Sequence, residues 1–375
     1  MTETTNPRKT RVALLFGGRS SEHAVSCVTA AGVMGAIDPD KYEVVPIGIT
    51  RAGQWVLSHS DWHQWALNTG HQPQVEPSES TVRLAESNGA AHLLVTEPNR
   101  VPRELGDVDV VFPLLHGAFG EDGTVQGLLE LADVRYVGAG VLASAVGMDK
   151  HFMKVAFEAA GLAVGPYVTV TDKEWRRDPQ AVRAAVARLG YPVFVKPCRA
   201  GSSVGITKVD GPEGLDAAIA EARRHDLRLV IEAGIVGREI ECGVLEGRGC
   251  DAPRTSLPGE IVVQGGAHTF YDFEAKYVDN DAASLSCPAD LPQEAIDQVR
   301  ELAAIAFDAV SAEGLSRVDF FYTPEGEFVI NEINTMPGFT PISMYPAMWA
   351  ATGISYRDLI DELIQLALAR PTGLR

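Results

Sequence analysis

Four polar side chains near the end of the chain have the chemistry of a metal and phosphate site. Arg317 and Asp319 lie in one apolar run, and Glu332 and Asn334 lie in the next. Carboxylate and amide oxygens suit Mg²⁺, which proteins often share with substrate phosphates. A solvated strand face with one ion pair is the alternative. We favour the metal site because Asn334 leads directly into Thr-Met-Pro-Gly, an unusual turn for an exposed strand end.

The two apolar runs predict a β-hairpin that brings these side chains together. The segment Thr-Pro-Glu-Gly separates the runs, with Pro early and Gly at the end of the turn. If the turn is centred on residues 324 and 325, Asp319 lies opposite Ile330. Arg317 then lies opposite Glu332. Opposed residues share a face and side chains alternate along a strand, so all four polar residues project from one side.

A glycine-rich loop after Lys196 is the candidate phosphate site. Lys196 ends an apolar run, and Ser202 and Ser203 lie in the loop Pro-Cys-Arg-Ala-Gly-Ser-Ser-Val-Gly that follows. Backbone N–H groups, hydroxyls and a lysine can bind polyphosphate in such a loop. The segment matches neither GxxxxGK[ST] nor GxGxxG, and an ordinary hairpin turn is the alternative. Together with the acidic hairpin, it predicts a phosphate clamp with a metal ion opposite.

Two further segments contain carboxylates that could bind other parts of a ligand. A strand ends at Glu232 and leads into a linker with Glu239, and this pair could hold an adenine amino group and ribose hydroxyls. Glu22 follows Gly-Gly-Arg-Ser-Ser at the start of a predicted helix, where it could bind a substrate ammonium. The alternatives are solvated glutamates for the first pair and a helix-capping carboxylate for Glu22.

A histidine and a long polar loop complete the candidate residues. His116 ends an apolar strand, the position at which open α/β sheets bind ligands, although a structural histidine fits the spacing equally well. The polar stretch 265–291 has the length of a lid or binding loop. In it, Lys276 could reach a phosphate or carboxylate and Tyr277 could close over a substrate. A surface loop is the alternative.

The order of predicted elements indicates an α/β protein. A strand at 11–16, a glycine turn, a helix at 24–37 and a strand at 42–49 form the opening α/β unit. We interpret the polar, irregular stretch at 58–107 as an elaboration of this first domain. Further helices are predicted at 123–131, 148–160, 179–189, 215–225, 293–312 and 356–369, and further strands at 108–115, 193–196, 205–209 and 228–232.

The composition is that of a globular protein and excludes several classes of partner. The chain has 375 residues, of which 46% are hydrophobic and 22% charged, with a net charge of −18. This acidity argues against nucleic acid and anionic membrane as partners. The polar N-terminus and the short apolar run after it predict neither signal peptide nor membrane span. Five cysteines without a CxxC pair predict single core positions in a reducing cytoplasm, with no disulfide framework or zinc site.

Taken together, these segments resemble the D-alanine–D-alanine ligases of the ATP-grasp superfamily, in order and over nearly the whole chain. The matching segments are GGRSSEHAVS at 17–26, HGAFGEDGTVQG at 116–127, MDK at 148–150, VKPCRAGSSVGI at 195–206, YDFEAKY at 271–277, RVDFF at 317–321 and NEINTMPGFTPIS at 331–343. Any one segment is weak, whereas all of them in this order form a highly specific match.

The resemblance implies an α/β ATP-grasp fold with an N-terminal Rossmann-like (pre-ATP-grasp) domain. The implied parts are a substrate-binding domain at 1–140 with an insertion near 58–107, a central ATP-grasp subdomain at 141–231, and a C-terminal subdomain at 232–375 with the lid loop 265–291. The insertion is longer than in compact family members, and oligomer contacts or regulation are its candidate roles. A homodimer is expected.

The resemblance also implies the ligands of most candidate residues. ATP would lie between the central and C-terminal subdomains. Its contacts would be Lys150, Lys196, Ser203, Glu232, Ile235, Glu239 and Lys276. Two Mg²⁺ ions, with Mn²⁺ as a substitute, would bind Asp319, Glu332 and Asn334. Ala233 stands where relatives often have a lysine, so one side-chain contact to adenine is absent.

The remaining roles concern the two amino acids. Glu22 would bind the ammonium of the first D-alanine, with His116 lining that site. Glu22 would also form a hydrogen-bonded set with Ser202 and Tyr277 that closes the lid. Arg317 and the backbone N–H of Gly338 would stabilise the tetrahedral oxyanion. Ser343 and Lys276 would hold the second carboxylate.

The implied reaction is ATP-dependent joining of two D-alanines through a D-alanyl phosphate, with release of ADP and phosphate, for peptidoglycan precursor synthesis. Tyr277 favours D-alanine over D-lactate as the acceptor, in contrast to related vancomycin-resistance ligases. One alternative is another ATP-grasp enzyme, with a different amino or hydroxy acid or a biotin-type carboxylation. A second is a non-catalytic nucleotide-binding protein, which would not require Asp319, Glu332 and Lys276. A dehydrogenase is disfavoured because GxGxxG is missing.

Overall fold

The computed structural model describes residues 8–58, 61–65, 72–87, 90–263 and 283–373. The strands in these ranges form four sheets. Lys276, Tyr277 and most of the predicted lid loop 265–291 lie outside the described residues.

The N-terminal sheet has the strand order β3-β2-β1-β7. Its strands are β1 (Thr10–Gly17), β2 (Tyr42–Ile49), β3 (Trp55–Leu57) and β7 (Val110–Pro113). Strands β2 and β7 pair parallel to β1, and helix α1 (His23–Ala36) makes the crossover from β1 to β2, as predicted. Helices α2 (Thr124–Leu131) and α3 (Val141–Met148) follow β7. The near-continuous apolar sequence of β1 is buried, as expected for a parallel strand covered on both faces.

The stretch at 58–107 is more regular than predicted. Strands β4 (Thr81–Ser87), β5 (Ala90–Thr96) and β6 (Arg103–Asp107) form an antiparallel sheet. Val82, Leu93 and Val95 are buried in the core shared with the N-terminal sheet. The expectation of an irregular segment is therefore wrong for 81–107. These side chains are buried by packing against the N-terminal sheet, which the polarity of the neighbouring sequence does not indicate.

The central sheet is antiparallel, with the order β10-β9-β11-β8. Its strands are β8 (Tyr167–Thr171), β9 (Val193–Pro197), β10 (Thr207–Val209) and β11 (Arg228–Ala233), and its helices are α4 (Lys150–Ala159), α5 (Asp172–Arg177), α6 (Pro179–Ala187) and α7 (Leu215–Ala222). The predicted start of a helix at residue 148 is wrong. Asp149 has extended backbone and accepts hydrogen bonds from the N–H groups of His151 and Phe152, so it ends α3 and caps α4.

The C-terminal sheet has the order β15-β14-β12-β16-β17, with β13 paired to β12. Its strands are β12 (Arg238–Leu245), β13 (Arg254–Thr255), β14 (Gly259–Val263), β15 (Ala283–Ser286), β16 (Leu315–Tyr322) and β17 (Phe328–Asn334), and the helices are α8 (Gln293–Ala309), α9 (Met344–Thr352) and α10 (Tyr356–Ala369). Phe339, Trp349 and Leu363 share one buried core with Phe112 of the N-terminal sheet. This packing fixes the segment between β17 and α9 beside the first domain.

The cysteine positions agree only in part with the prediction from composition. All five cysteines are free, and Cys250 is exposed, so the predicted core position is wrong for that residue. Cys27, Cys198 and Cys242 are buried. Among the helices described, none combines the length and the apolar composition needed to span a bilayer.

Candidate active site

The predicted hairpin forms between β16 and β17, but in a different register. Asp319 lies opposite Glu332, and Arg317 lies opposite Asn334, so the pairs predicted from the sequence are wrong. The shared face is nevertheless the predicted one, because both members of each observed pair project from the same side.

A β-bulge causes the difference in register. The pairing shifts between Asp319 and Phe320, and Asn331 is the extra residue on β17. Phe328, Ile330 and Ile333 are all buried, although their spacing is two residues and then three. The bulge therefore keeps these apolar side chains in the core while Glu332 stays on the polar face.

The polar face of the hairpin contains an arginine held between two carboxylates. Arg317 donates from Nε and Nη2 to the two carboxylate oxygens of Asp319, each at 2.7 Å. Glu241 lies opposite Asp319 on β12, and its Oε2 is 3.2 Å from Arg317 Nε. The side chains of Arg317 and Asp319 are only 15% and 13% exposed, so this ion pair is largely shielded from water. Burial disfavours the charged guanidinium, but Asp319 and Glu241 raise the pKa of Arg317 well above its usual value.

Sequence reasoning missed Glu241. A signal was present, because Glu239 and Glu241 are two residues apart and would share a face in a strand, although the sequence around Glu239 was interpreted as a linker. Asn334 completes the cluster, since its Nδ2 donates to Asp319 Oδ2 at 3.1 Å.

The donor set on this face suits a magnesium ion bound together with phosphate. Asp319 and Glu332 face each other across neighbouring strands, and Asn334 follows on the same face. Within the described ranges, no group of three His, Cys, Asp or Glu side chains is arranged to hold a metal ion by itself. Two carboxylates and an amide are donors that suit an ion which takes its other ligands from phosphate oxygens, as Mg²⁺ often does.

At the residues predicted to bind the nucleotide, one buried glutamate is held between two lysines. Lys196 Nζ is 2.5 Å from Glu232 Oε2, and Lys154 Nζ is 2.7 Å from Glu232 Oε1. Burial would raise the pKa of Glu232, but the two lysine charges lower it to about 2. Burial likewise disfavours charge on Lys196, yet Glu232, with smaller effects from Glu332 and Glu239, raises the pKa of Lys196. Lys154 was also missed, although it lies four residues after Lys150 on one helix face.

Lys150 connects the glycine loop with the acidic hairpin. Its Nζ donates to the carbonyl oxygen of Ala200 at 3.0 Å and lies 3.8 Å from Glu332 Oε2. Its backbone N–H donates to the carbonyl of Cys198 at 3.0 Å. The predicted phosphate loop and the predicted metal hairpin therefore meet at this lysine.

The glycine loop also reaches the N-terminal domain through Ser202. Ser202 Oγ donates to Glu22 Oε1. Ser202 and Ser203 both have left-handed backbone, with φ of 48° and 59°, a conformation that costs about 1 kcal/mol or more for such residues and often occurs at functional sites. The strained turn points the Ser202 hydroxyl toward Glu22, so the two predicted catalytic residues are in direct contact.

Glu22 does not cap its helix with its side chain. It occupies the N-terminal position of α1 but makes no side-chain capping hydrogen bond, so the capping alternative is wrong. Added Cβ atoms at Gly117 and Gly201 would lie 2.7 Å and 3.2 Å from Glu22 Oε2. These two glycines leave room for a buried carboxylate between the N-terminal domain and the glycine loop.

Two side chains of the loop at 116–121 bind both backbone polar groups of Met336. His116 Nδ1 is 3.1 Å from the Met336 carbonyl oxygen, and the Met336 N–H donates to Glu121 Oε1 at 3.2 Å. Glu121 Oε2 accepts from the Gly117 N–H at 2.6 Å. Burial lowers the pKa of His116 against the opposing charge of Glu22, so a neutral imidazole donates this hydrogen bond. Burial and the charge of Glu22 raise the pKa of Glu121 to about 8.

The hydrogen bonds of His116 and Glu121 to the Met336 backbone position the segment that contains Gly338 and Ser343. Ser343 Oγ accepts from the Thr340 N–H at 3.1 Å, and a Cβ on Gly338 would lie 3.3 Å from Ser343 Oγ. The two predicted residues therefore lie together, Gly338 two residues and Ser343 seven residues after Met336. Ile235 packs against Gly165, where a Cβ would lie 2.6 Å from Ile235 Cδ1.

Comparison with protein families gives two matches that follow each other along the chain. A model described as D-ala D-ala ligase N-terminus matches residues 11–139. A model described as D-ala D-ala ligase C-terminus matches residues 156–365. Together they span most of the chain.

Individual proteins are similar over nearly their whole length. The chain is 76% identical over 367 residues to a D-alanine–D-alanine ligase of Pseudarthrobacter chlorophenolicus, covering 98% of this chain and 96% of that protein. It is 60% identical to the D-alanine–D-alanine ligase of Kocuria rhizophila, covering 97% and 95%. Among solved structures, VanG D-Ala:D-Ser ligase from Enterococcus faecalis has a TM-score of 0.81 at 37% identity, covering 96% and 100%. The D-alanine–D-alanine ligase from Coxiella burnetii has a TM-score of 0.78 at 34% identity, covering 96% and 94%.

Proposed function

The chain belongs to the D-alanine–D-alanine ligase family, and on this basis we propose that it joins two D-alanines with ATP to supply peptidoglycan precursor synthesis. The observation that supports this most directly is the double contact of Lys150, which links the glycine loop to Glu332 of the acidic hairpin. A phosphate loop beside a metal-binding face is the arrangement that phosphoryl transfer requires.

ATP lies, in this proposal, between a central part at 141–231 and a C-terminal part at 232–375. Its contacts are Lys150, Lys196, Ser203, Glu232, Ile235, Glu239 and Lys276. Asp319, Glu332 and Asn334 would hold two Mg²⁺ ions, or Mn²⁺, which would neutralise phosphate charge when bound. The lysines add positive charge on the opposite side of the phosphates, so that the transferring phosphoryl group is stabilised mainly by electrostatics.

In the first step, a carboxylate oxygen of one D-alanine attacks the γ-phosphorus, and ADP leaves. The product is a D-alanyl phosphate, an acyl donor that a free carboxylate is not. Glu22 binds the ammonium of this D-alanine, and His116 lines the same site. The direct contact of Ser202 with Glu22 supports a shared closing set, in which Tyr277 is the third member. Closure excludes the water that would hydrolyse the acyl phosphate.

In the second step, the neutral amine of the other D-alanine attacks the acyl carbon. Arg317 and the Gly338 N–H stabilise the oxyanion of the tetrahedral intermediate. The intermediate collapses with loss of phosphate, the amine nitrogen loses its proton, and D-alanyl-D-alanine forms. Ser343 and Lys276 hold the carboxylate of the second D-alanine. Arg317 must therefore exchange part of its contact with Asp319 for the substrate.

An assay of phosphate and ADP release tests this function. D-alanine with ATP and Mg²⁺ should give one ADP per dipeptide, whereas L-alanine should give neither product. D-serine and D-lactate belong in the same series, because one structural relative is named as a D-Ala:D-Ser ligase. The more similar relatives are named D-alanine–D-alanine ligases, so we expect D-alanine as the preferred acceptor. Absence of D-alanine-dependent turnover would contradict the proposal.

We also propose a homodimer that forms through an apolar surface on α2 and α3. Leu128, Leu131, Val141 and Leu142 are exposed there, Leu131 to 85%. Exposed apolar side chains that lie together are typical of contact surfaces. We expect light scattering to show a dimer for the wild type and a monomer for Leu131→Glu. The control Val101→Glu changes an equally exposed residue of the insertion. Dissociation by the control alone would place the interface on the insertion instead.

A further inference from the structure

Lys154 is a buried lysine next to the proposed nucleotide site. The family resemblance assigns no role to this lysine. Its Nζ is 2.7 Å from Glu232 Oε1, while Lys196 Nζ is 2.5 Å from Glu232 Oε2. Each oxygen of one carboxylate thus has its own lysine. The Lys154 side chain is only 4% exposed, so solvent does not replace this contact.

Lys150 and Lys154, both in the first two turns of helix α4, bind different partners. Asp149 caps the helix, and Lys150 reaches the carbonyl oxygen of Ala200 in the glycine loop. Lys154 lies one turn further, above the ring of Tyr167 at 5.6 Å from its centroid. Tyr167 pairs with Glu232 across β8 and β11, so the lysine rests on one residue of the pair and binds the other.

In the proposed function, Lys196 binds a nucleotide phosphate. This contact competes with the ion pair between Lys196 and Glu232. A lysine that turns toward phosphate gives up part of its interaction with the carboxylate. Glu232 would then be a buried charge without a full partner, which is strongly unfavourable. Lys154 is the residue that can keep the carboxylate ionised at that moment, because it approaches the other oxygen.

We propose that Lys154 is a positioning residue for adenine recognition: it holds Glu232 ionised and oriented toward the adenine amino group while Lys196 contacts phosphate. This inference rests on the ATP site of the proposed function, with Glu232 at adenine and Lys196 at phosphate, and not on the identity of the amino acid substrate. An ionised carboxylate accepts a hydrogen bond from the amino group of adenine and repels the carbonyl oxygen at the same position of guanine. Lys154 should therefore affect both affinity and the choice of base.

The charges around Glu232 give the expected pH dependence. Lys196 on β9, Lys154 on α4 and Tyr167 on β8 face it, and the pKa of Tyr167 is raised by burial and by Glu158. The lysines oppose the effect of burial and lower the pKa of Glu232 to about 2, so wild-type Glu232 stays ionised near neutral pH. Without Lys154 that pKa rises, and a protonated Glu232 becomes more frequent as the pH falls.

Binding of ADP and GDP to the full chain, measured by calorimetry between pH 6 and pH 8.5, tests the inference without D-alanine. We expect Lys154→Met to weaken ADP binding about tenfold at pH 7, and more at pH 6. The preference for ADP over GDP should fall by a similar factor. Lys154→Arg should stay within about threefold of the wild type, since it keeps the charge. Lys208→Met removes an exposed lysine from neighbouring β10 and should change nothing.

A double-variant comparison separates positioning from folding. In an E232Q background, adding K154M should change ADP affinity less than twofold, because the lysine acts through the carboxylate. This pair removes both charges, so it remains informative if K154M alone does not fold. Folded K154M with wild-type ADP affinity, base preference and pH profile would overturn the inference, as would a large effect of K154M in the E232Q background. A wild type that binds no ADP would overturn both proposals, whereas ADP binding without D-alanine turnover would overturn only the ligase function.

Discussion

The proposed nucleotide side and the proposed metal side of the site use opposite arrangements of charge. On the central sheet, the carboxylate of Glu232 lies between Lys154 and Lys196. On the C-terminal sheet, the guanidinium of Arg317 lies between Asp319 and Glu241. In each cluster a single charge of one sign is compensated by two of the other, and all of the side chains are largely removed from water.

Each cluster contains one residue that is expected to bind a ligand and one that is not. Lys196 and Asp319 are the members expected to bind phosphate and metal, whereas Lys154 and Glu241 were not predicted as ligands at all. A buried charge that loses its only partner is destabilised by about 3–5 kcal/mol. We infer that each cluster keeps a second partner so that the first can turn to the substrate at lower cost.

The largest expected effect comes from breaking the metal side at Glu332. Glu332→Gln keeps the shape of the side chain but removes a carboxylate charge from the proposed Mg²⁺ site. We expect turnover at ordinary Mg²⁺ to fall at least about 100-fold, measured by phosphate release. Glu327→Gln is the control, since it removes an exposed carboxylate from the turn of the same hairpin. Survival of activity in E332Q would show that the metal assignment is wrong.

A smaller effect is expected from removing the second partner of Arg317. Glu241→Gln leaves Arg317 bound to Asp319 alone, so release of Asp319 to a metal ion leaves the guanidinium poorly positioned. We expect kcat to fall about tenfold, with little change in the KM for ATP. Glu260→Gln on β14 is the matched control, because Glu260 binds Arg238 outside this cluster at 2.6–2.7 Å. Equal kcat values for E241Q and the wild type would remove Glu241 from the account.

The weakest expected effect concerns Glu121, a buried carboxyl whose two hydrogen bonds come from backbone N–H groups. Its pKa is raised to about 8 from an ordinary value of 4.5, whereas that of Glu232 is lowered. The folded protein therefore binds this proton more tightly, and the contribution of Glu121 to stability falls as pH rises from about 4.5 to 8.

Glu121→Gln removes this titration. The melting temperature of the variant minus that of the wild type should become more positive by about 2 °C or more between pH 5.5 and pH 8. Calorimetry of both proteins in matched buffers measures it. A difference that stays constant with pH would contradict the raised pKa.

Some residues of the two charge clusters could be predicted from the sequence and others could not. Lys196, Asp319 and Glu332 could be proposed as ligand contacts from the sequence because their types and order are distinctive. The hairpin register was not found, because a bulge at Asn331 depends on which apolar side chains the core accepts. The 2-then-3 spacing of Phe328, Ile330 and Ile333 was the available signal.

Lys154 and Glu241 were missed for a different reason. Their spacing from Lys150 and Glu239 indicates a shared face, but a shared face does not tell which buried charge each residue meets. That information exists only once α4 packs on the central sheet and β12 pairs with β16. The contact between Ser202 and Glu22 likewise joins residues 180 positions apart, and only the family resemblance predicted it.

Isotope transfer can show directly whether ATP activates one D-alanine as an acyl phosphate. D-alanine labelled with ¹⁸O in its carboxylate is incubated with the enzyme, ATP and Mg²⁺, and the released phosphate is analysed by mass spectrometry. We expect one ¹⁸O atom in the phosphate for each dipeptide formed, because the carboxylate oxygen that attacks the γ-phosphorus leaves with the phosphate. Dipeptide formation with unlabelled phosphate would contradict the D-alanyl phosphate route.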